Sequence, residues 1–305
     1  MKLLVTGSNG LIGSAIKNSE SKFDIIPISR NECDLSNEIE VKYLFKYTSP
    51  DYVINTAASV GGMGGNKNNH AKYFYNNTLI NSFIIHYCYL NNVKKLLTMS
   101  STCIFPVKYE EFDESQLHDG PIFDSHFAYG YSKRMIDVQI RAYEEQYGVK
   151  NYCCIIPGNV YGPNDSFNLR DGHVVASLLH KCYLAKKNNT DFNIWGDGSS
   201  LREFIYSKDL AKIMLELLEK DLPRNLLVCS PVELSIKELV NIIVEECNFT
   251  GNIVFSGEQG NGQKRKKSKT DLLKSILPTV TFTEFRKSIR DTFNWLDENY
   301  ESIRQ

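Results

Sequence analysis

The chain has 305 residues, 42% hydrophobic and 23% charged, enough for a large apolar core spread over two units. That balance excludes disordered, collagen-like and disulfide-scaffold classes. Lysine plus arginine (35) offsets aspartate plus glutamate (36), and the formal net charge of -1 gives no global field toward nucleic acid or an anionic membrane. Eight cysteines show neither a C-x-x-C pair nor zinc-ligand spacing, so they read as reduced thiols, and no metal is expected.

At the amino terminus, MKLLVTGSNGLIG runs from a short apolar stretch straight into a glycine turn, which leaves no room for a signal peptide. Other apolar stretches, such as Leu79 to Leu90, fall short of the ~20 residues of a membrane helix. A cytoplasmic location is expected, which suits free thiols. Leu3 to Thr6, Asp24 to Ile28, Tyr52 to Asn55, Leu96 to Met99 and Asn151 to Ile156 read as strands with helical segments between them. Their near-continuous Val, Ile and Leu content predicts coverage on both faces, hence a parallel sheet of βαβ units. The fold class is α/β, a Rossmann-type doubly wound sheet with a smaller C-terminal substrate domain. Residues 1–160 form the dinucleotide-binding unit and residues 161–305 mainly the substrate unit, with 196–220 returning to the first. Helices are expected over His173 to Lys187, Ser207 to Lys220, Ser235 to Cys247 and Glu284 to Tyr300, and a strand near Phe192 to Trp195. Gly260 to Lys269 reads as a loop.

Gly7, Gly10 and Gly13 form G-x-x-G-x-x-G directly after the first strand and at the opening of a helix. Bare backbone there admits a pyrophosphate, and the helix N-terminus offers unpaired N–H groups. After the second strand stands Arg30, where an acidic residue would select NAD; a cation favours the 2′-phosphate of NADPH, with Asn9 and Ser29 as further donors. The competing reading of Arg30 is a solvated surface arginine.

Tyr129 and Lys133 in YGYSK lie one helical turn apart, on one face of a helix running to Tyr147. An ammonium beside a phenol is expected to lower the phenol's pKa and make it a usable acid or base. Met99-Ser100-Ser101-Thr102-Cys103 ends the fourth strand at the carboxyl edge, where strand alternation would point Ser101 and Cys103 into one cleft. On its own Cys103 reads first as an inert buried thiol and second as a proton-exchanging group.

These segments resemble the GDP-L-fucose synthase family of extended short-chain dehydrogenase/reductases. The resemblance covers nearly the whole chain: TGSNGLIG, AASVGG, SSTCIFP, YGYSKRMIDVQ, PGNVYGPNDSFNLRDGHV and WGDGSSLREFIYSKDLA. It implies NADPH-dependent 3,5-epimerisation and 4-reduction of GDP-4-keto-6-deoxy-D-mannose to GDP-L-fucose. Ser101, Tyr129 and Lys133 would be the reductase triad, Lys133 also holding the nicotinamide ribose. Cys103 and His173 would be the acid/base pair of the epimerisations.

The resemblance further implies that the cofactor meets Gly7, Asn9, Gly10, Leu11, Ile12, Gly13, Arg30, Asp34, Leu35, Ala57, Ala58, Asn77, Tyr129, Lys133, Pro157, Asn159, Val160 and His173. The GDP-linked 4-keto sugar would meet Ser101, Thr102, Cys103, Asn159, Lys181, Trp195, Arg202, Asn261 and Lys264. In this family the segment holding Lys264 to Lys267 approaches the nucleotide diphosphate; a solvated loop and a nucleic-acid contact are the alternatives. Asn261 departs from the acidic residue common before the glycine, which leaves open a heptose or another 4-keto sugar on GDP. A C4 reductase without full epimerase activity is the alternative function, and a nucleotide-binding protein without turnover the third. A homodimer through Lys72 to Asn91 and Tyr129 to Tyr147 is expected by analogy, with no nucleic acid and no membrane as partners.

Overall fold

The computed structural model describes residues 1–62, 68–257 and 263–304. In chain order its strands are β1 (Lys2–Thr6), β2 (Asp24–Ile28), β3 (Tyr52–Asn55), β4 (Lys95–Met99), β5 (Glu111–Phe112), β6 (Tyr152–Pro157), β7 (Asn159–Tyr161), β8 (Phe192–Trp195), β9 (Leu201–Tyr206), β10 (Asn225–Val228), β11 (Glu233–Ser235), β12 (Ile253–Ser256) and β13 (Arg265–Ser268). The α-helices are α1 (Leu11–Lys17), α2 (Glu38–Thr48), α3 (His70–Leu90), α4 (Phe127–Tyr147), α5 (Val174–Asn188), α6 (Ser207–Leu217), α7 (Ile236–Glu246), α8 (Asp271–Ile276) and α9 (Phe285–Glu298).

The apolar runs pair in parallel in the order β10-β6-β4-β3-β1-β2. Strand order reverses between β1 and β3, so a crevice opens outside their carboxyl ends. Val41 and Phe45 of α2, Ile84 and Ile85 of α3, and Ile136 and Ile140 of α4 cover one face. Ile16 of α1, Leu210, Ile213 and Met214 of α6, and Leu273 of α8 cover the other. Burial on both sides is what the continuous apolar runs demand.

A second sheet runs β11-β9-β13-β5, with β7 also on β9. Its helices α5, α7 and α9 bury Leu179, Leu239, Ile243 and Phe293 in a core of their own. Gly158 alone separates β6 from β7, so the chain leaves the main sheet and enters the second within one residue. A Cβ at Gly158 would lie 3.3 Å from the Cys229 sulfur.

The division of the chain is finer than expected. Within 196–220, α6 packs on α1 while β9 stays in the second sheet. The return also reaches further, because β10 forms the edge of the main sheet against β6. The segment expected to be a loop holds β13, which pairs with β9 and β5; the Arg265 guanidinium is fixed by the Glu233 carboxylate in two 2.8 Å bonds. Among the described residues no helix is long and apolar enough to cross a membrane, and no cluster of three His, Cys, Asp or Glu side chains is placed to hold a metal ion.

Candidate active site

The turn from β1 to α1 is built for bare backbone. Gly7 has φ +69°, and a Cβ there would stand 2.9 Å from the Ala57 nitrogen. A Cβ at Gly13 would collide with the Gly7 carbonyl. Gly10 is the N-cap of α1 and brings no side chain to the open N–H groups at Leu11 and Ile12. Asn9 is exposed at the same turn. Across the crevice, the fully buried Asn77 of α3 braces the loop after β3: its Oδ1 accepts from Ser59 N at 2.8 Å and its Nδ2 donates to Ser59 O at 2.9 Å. That brace fixes Ala57 and Ala58.

At the end of β2, Arg30 is exposed. Ser29 is not the free donor expected, because its N–H and Oγ–H both donate to the Glu32 carboxylate at 2.7 Å. Asp34 is held below the usual carboxylate range by Ser36 and then by Arg30, and Leu35 sits in the core. On the far side, Pro157 ends β6, Val160 packs against the core, and Asn159 Nδ2 donates to Glu203 O at 2.8 Å.

Ser101 and Cys103 do meet, but through a turn rather than strand alternation. Ser101 caps a 3-10 turn, Thr102–Ile104, its Oγ accepting from Cys103 N at 3.2 Å. Ser101 also lowers the pKa of both the Tyr129 phenol and the Cys103 thiol. Two residues of α4 press the turn into place. A Cβ at Gly130 would lie 2.9 Å from the Cys103 carbonyl, and Arg134 donates to the Ile104 carbonyl at 3.0 and 2.5 Å. Thr102 is buried beneath.

Lys133 corrects one expectation. Its Nζ donates to the Met99 carbonyl at 2.9 Å, and burial pushes its pKa down to about 8 despite Cys154. Burial and the charge of Cys103 push the Tyr129 phenol up, against the Ser101 hydrogen bond. Tyr129 and Lys133 are only 7% and 1% exposed, and a dry site penalises phenolate and ammonium alike. Tyr129 therefore holds its proton at neutral pH, as a donor.

Cys103 goes the other way. Burial opposes its charge, but Lys266 Nζ at 3.8 Å, His126 and Ser101 outweigh it and bring the thiol down to about 5. His173, the N-cap of α5, has its Nδ1 3.5 Å from an Asp165 carboxylate oxygen. Burial lowers its pKa, yet Asp165 and the charge of Cys103 carry it above the usual imidazole value. The surroundings therefore push the two groups in opposite directions, the thiol toward its charged form and the imidazole toward holding its proton.

The residues expected to meet the sugar nucleotide are more scattered. Lys181 is half-buried on α5, which lowers its pKa, and Trp195 is 77% exposed at the end of β8. Arg202 does not present a free guanidinium: it donates to the carbonyls of Leu201 and Gln263 at 2.7 Å and tethers the entry to β13. Lys264 is exposed beside it, and Asn261 lies outside the described residues. Sequence reasoning did not single out Asp165, which lies beside His173, or Lys266, which lies beside the Cys103 sulfur. Lys266 stood inside the basic run, but only a strand assignment would have singled it out.

A protonated phenol, a serine and a buried lysine at the carboxyl edge of a glycine-turn sheet define a dinucleotide-dependent oxidoreductase of the short-chain type. The family model described as NAD dependent epimerase/dehydratase matches residues 3–229. GDP-L-fucose synthase of Dictyostelium discoideum is 40% identical, over 99% of this chain and 97% of that protein. The crystal structure of a GDP-L-fucose synthetase from Naegleria fowleri bound to NADP is 37% identical, covering 99% of this chain and 94% of that one at a TM-score of 0.93. A GDP-6-OMe-4-keto-L-xylo-heptose reductase from C. jejuni, 24% identical, shares the fold at a TM-score of 0.89 over 98% of both chains. The chain belongs to the NAD dependent epimerase/dehydratase family and, within it, to the GDP-L-fucose synthases.

Proposed function

We propose that this chain converts GDP-4-keto-6-deoxy-D-mannose to GDP-L-fucose by 3,5-epimerisation and NADPH-dependent 4-reduction. The observation that carries the reading is the setting of Cys103 and His173: the sulfur lies 3.8 Å from Lys266 Nζ and next to the Ser101 cap, and the imidazole lies 3.5 Å from the Asp165 carboxylate. The side-chain-free turn fits a dinucleotide, since a Cβ at Gly7 or Gly13 would fill the space its backbone leaves. Gly7, Gly10 to Gly13, Ala57, Ala58, Lys133 and Pro157 to Val160 would hold NADPH, with Arg30 toward its 2′-phosphate. When bound, it supplies hydride to C4 of the sugar.

The protein's own groups do the rest. Protons at C3 and C5 are acidified by the C4 carbonyl, and the Cys103 thiolate removes one of them. Ser101 and Tyr129 donate hydrogen bonds to the carbonyl oxygen as it gains negative charge. The His173 imidazolium returns a proton to the opposite face, inverting the carbon. After epimerisation Tyr129 gives its proton to the C4 oxygen as that carbon is reduced. Lys181, Trp195 and Lys264 are the candidates for the nucleotide and diphosphate.

Two further parts of the reading concern context. Phe127, Tyr131, Met135 and Val138 expose an apolar stripe along α4, and Phe74 adds to it from α3, which supports a homodimer through these helices. Eight free thiols support a reducing, cytosolic compartment.

Incubation with NADPH and GDP-4-keto-6-deoxymannose in deuterated water, read by NMR, tests the chemistry. Deuterium is expected at C3 and C5 together with reduction at C4. Cys103→Ser should suppress exchange on the order of 100-fold while NADP binding persists, and Tyr129→Phe should slow reduction. Reduction without exchange would leave a C4 reductase, and normal exchange in Cys103→Ser would remove Cys103 from the mechanism.

A further inference from the structure

Inversion of a carbon needs an acid that offers its proton from one fixed atom, because the opposite face of the sugar is reached from one direction. An imidazole has two nitrogens, and the hydrogen bond made by one decides which form the other takes. The setting of His173 separates them. Its Nδ1 is buried although 43% of the side chain is exposed, so the open part of the ring is the edge away from Nδ1. Beside Nδ1, at 3.5 Å, lies a carboxylate oxygen of Asp165, a residue only 2% exposed.

Asp165 stands in the loop between β7 and α5, and that loop is tied down. Asp165 N donates to the Gly162 carbonyl at 3.3 Å, and Asp165 Oδ1 accepts from Ser166 N at 2.7 Å. The C-terminal segment closes over the same residues. Phe167 N donates to the Arg304 carbonyl at 2.8 Å, Ser166 and Arg304 form a parallel bridge, and the Arg304 guanidinium donates to the Asn164 carbonyl. His173 is fixed separately as the N-cap of α5, its carbonyl accepting from Ser177 N at 2.9 Å. One residue earlier, a Cβ at Gly172 would stand 2.4 Å from the Asn168 carbonyl oxygen, so the two ends of the loop meet backbone to backbone. Carboxylate and imidazole are thus presented to each other by two anchored stretches of chain. Asp165 Oδ2 is buried and, among the described residues, makes no hydrogen bond. Such an oxygen is costly to leave without a donor, and a proton on His173 Nδ1 supplies one to the carboxylate. The 3.5 Å separation is long for a closed hydrogen bond, and catalytic bonds of this kind tighten once substrate is in place.

We propose that Asp165 is the positioning residue of His173: it accepts from Nδ1–H, so that Nε2 is the nitrogen that delivers the proton to the sugar. The role rests on the epimerase reading above. In the step the Nε2–H bond breaks with its electron pair kept on nitrogen, and a C–H bond forms from the electron pair of the enolate carbon. The neutral ring that remains carries its proton on Nδ1, facing Asp165, and Nε2 takes a proton back from solvent. Asp165 acts on the sugar only through His173.

Two measurements on the full-length protein test this. The first needs no substrate: the ring nitrogens of His173 are followed by nitrogen NMR across about pH 5 to 9, their signals assigned by loss in His173→Gln. In wild type the neutral ring is expected to carry its proton on Nδ1. Asp165→Asn should move that proton toward Nε2 and lower the titration midpoint by about 1 unit, since a carboxylate favours the imidazolium and an amide does not. The other charged groups acting on the ring, Cys103 from the turn after β4 and Arg304 from the C-terminal segment, are unchanged in that variant. The second measurement is exchange at C3 and C5 in deuterated water as a function of pH. Asp165→Asn should slow exchange about 100-fold at saturating sugar with KM within about twofold, and its loss of rate at high pH should begin about 1 unit lower. A neutral ring protonated on Nε2 in the wild-type protein overturns the proposal without any variant. So does an Asp165→Asn protein whose midpoint and exchange profile match the wild type. Wild-type protein that titrates as expected but exchanges neither carbon overturns the epimerase reading, and the catalytic role of the pair with it.

Discussion

Glu203 carries a carboxyl in the middle of β9, only 3% exposed, in a place the mechanism does not use. Burial pushes its pKa up to about 7, against hydrogen bonds from Ser268. Because the folded value lies above that of an unfolded chain, its stabilising contribution is full below the ordinary carboxylate range and is lost as pH rises toward and through about 7. Glu203→Gln is therefore expected to change thermal stability little near pH 5 and to raise it by roughly 2 kcal/mol at pH 8. Calorimetry at the two pH values checks this, and an equal gain at both would point to packing rather than ionisation. The same physics reverses the simplest reading of Tyr129 and Lys133. Their spacing is plain in the sequence, but the sign of a pKa shift depends on how dry the site is, and four residues of motif carry no measure of burial.

On the scale of elements, α4 organises the site. It presents Tyr129 and Lys133, admits the Cys103 turn at Gly130, ties it with Arg134, and anchors itself through Asp137. That carboxylate accepts from Arg224 Nε at 2.6 Å, Asn225 Nδ2 at 2.5 Å and His118 Nε2 at 2.6 Å, bridging α4 to β10. Burial raises the pKa of Asp137, but these donors outweigh it and hold the group below the usual carboxylate range. Asp137→Ala leaves the partners without their acceptor and should cost about 3 kcal/mol in urea unfolding at neutral pH. A loss under about 0.5 kcal/mol would show the network to be a solvated ion pair instead.

The strands β1 to β4 and β6, and α4 itself, were legible because each is a long apolar or periodic run beside a glycine or a turn. The second sheet was not. β5, β7 and β11 are too short to show a period, and β13 reads RKKS, which has no apolar face at all. Its alternation is electrostatic: Arg265 and Lys267 meet Glu233 and Glu111, while Lys266 turns to Cys103 and Ser268 is buried. Nothing local reveals that pattern, because every partner is distant in the chain.

For the whole molecule, α3 leaves Phe74 and Tyr75 exposed and α4 leaves Phe127, Tyr131, Met135 and Val138 exposed. Tyr131→Glu combined with Met135→Lys places like-sized charged groups on that stripe and should convert a dimer to a monomer in sedimentation velocity. A wild-type protein that sediments as a monomer would end the dimer reading. The crossing from β6 to β7 makes the second unit a product of closure at long range. Its central strand pair, β9 with β13, forms only when the last part of the chain folds back. Lys266 stands 163 residues beyond the sulfur it faces. A nascent or unfolded chain therefore carries Cys103 as an ordinary, mostly protonated thiol, slow toward oxidants and alkylating agents. The lowered pKa of Cys103 therefore comes from a tertiary contact with Lys266 rather than from neighbouring sequence, and arises only once β13 has paired with β9.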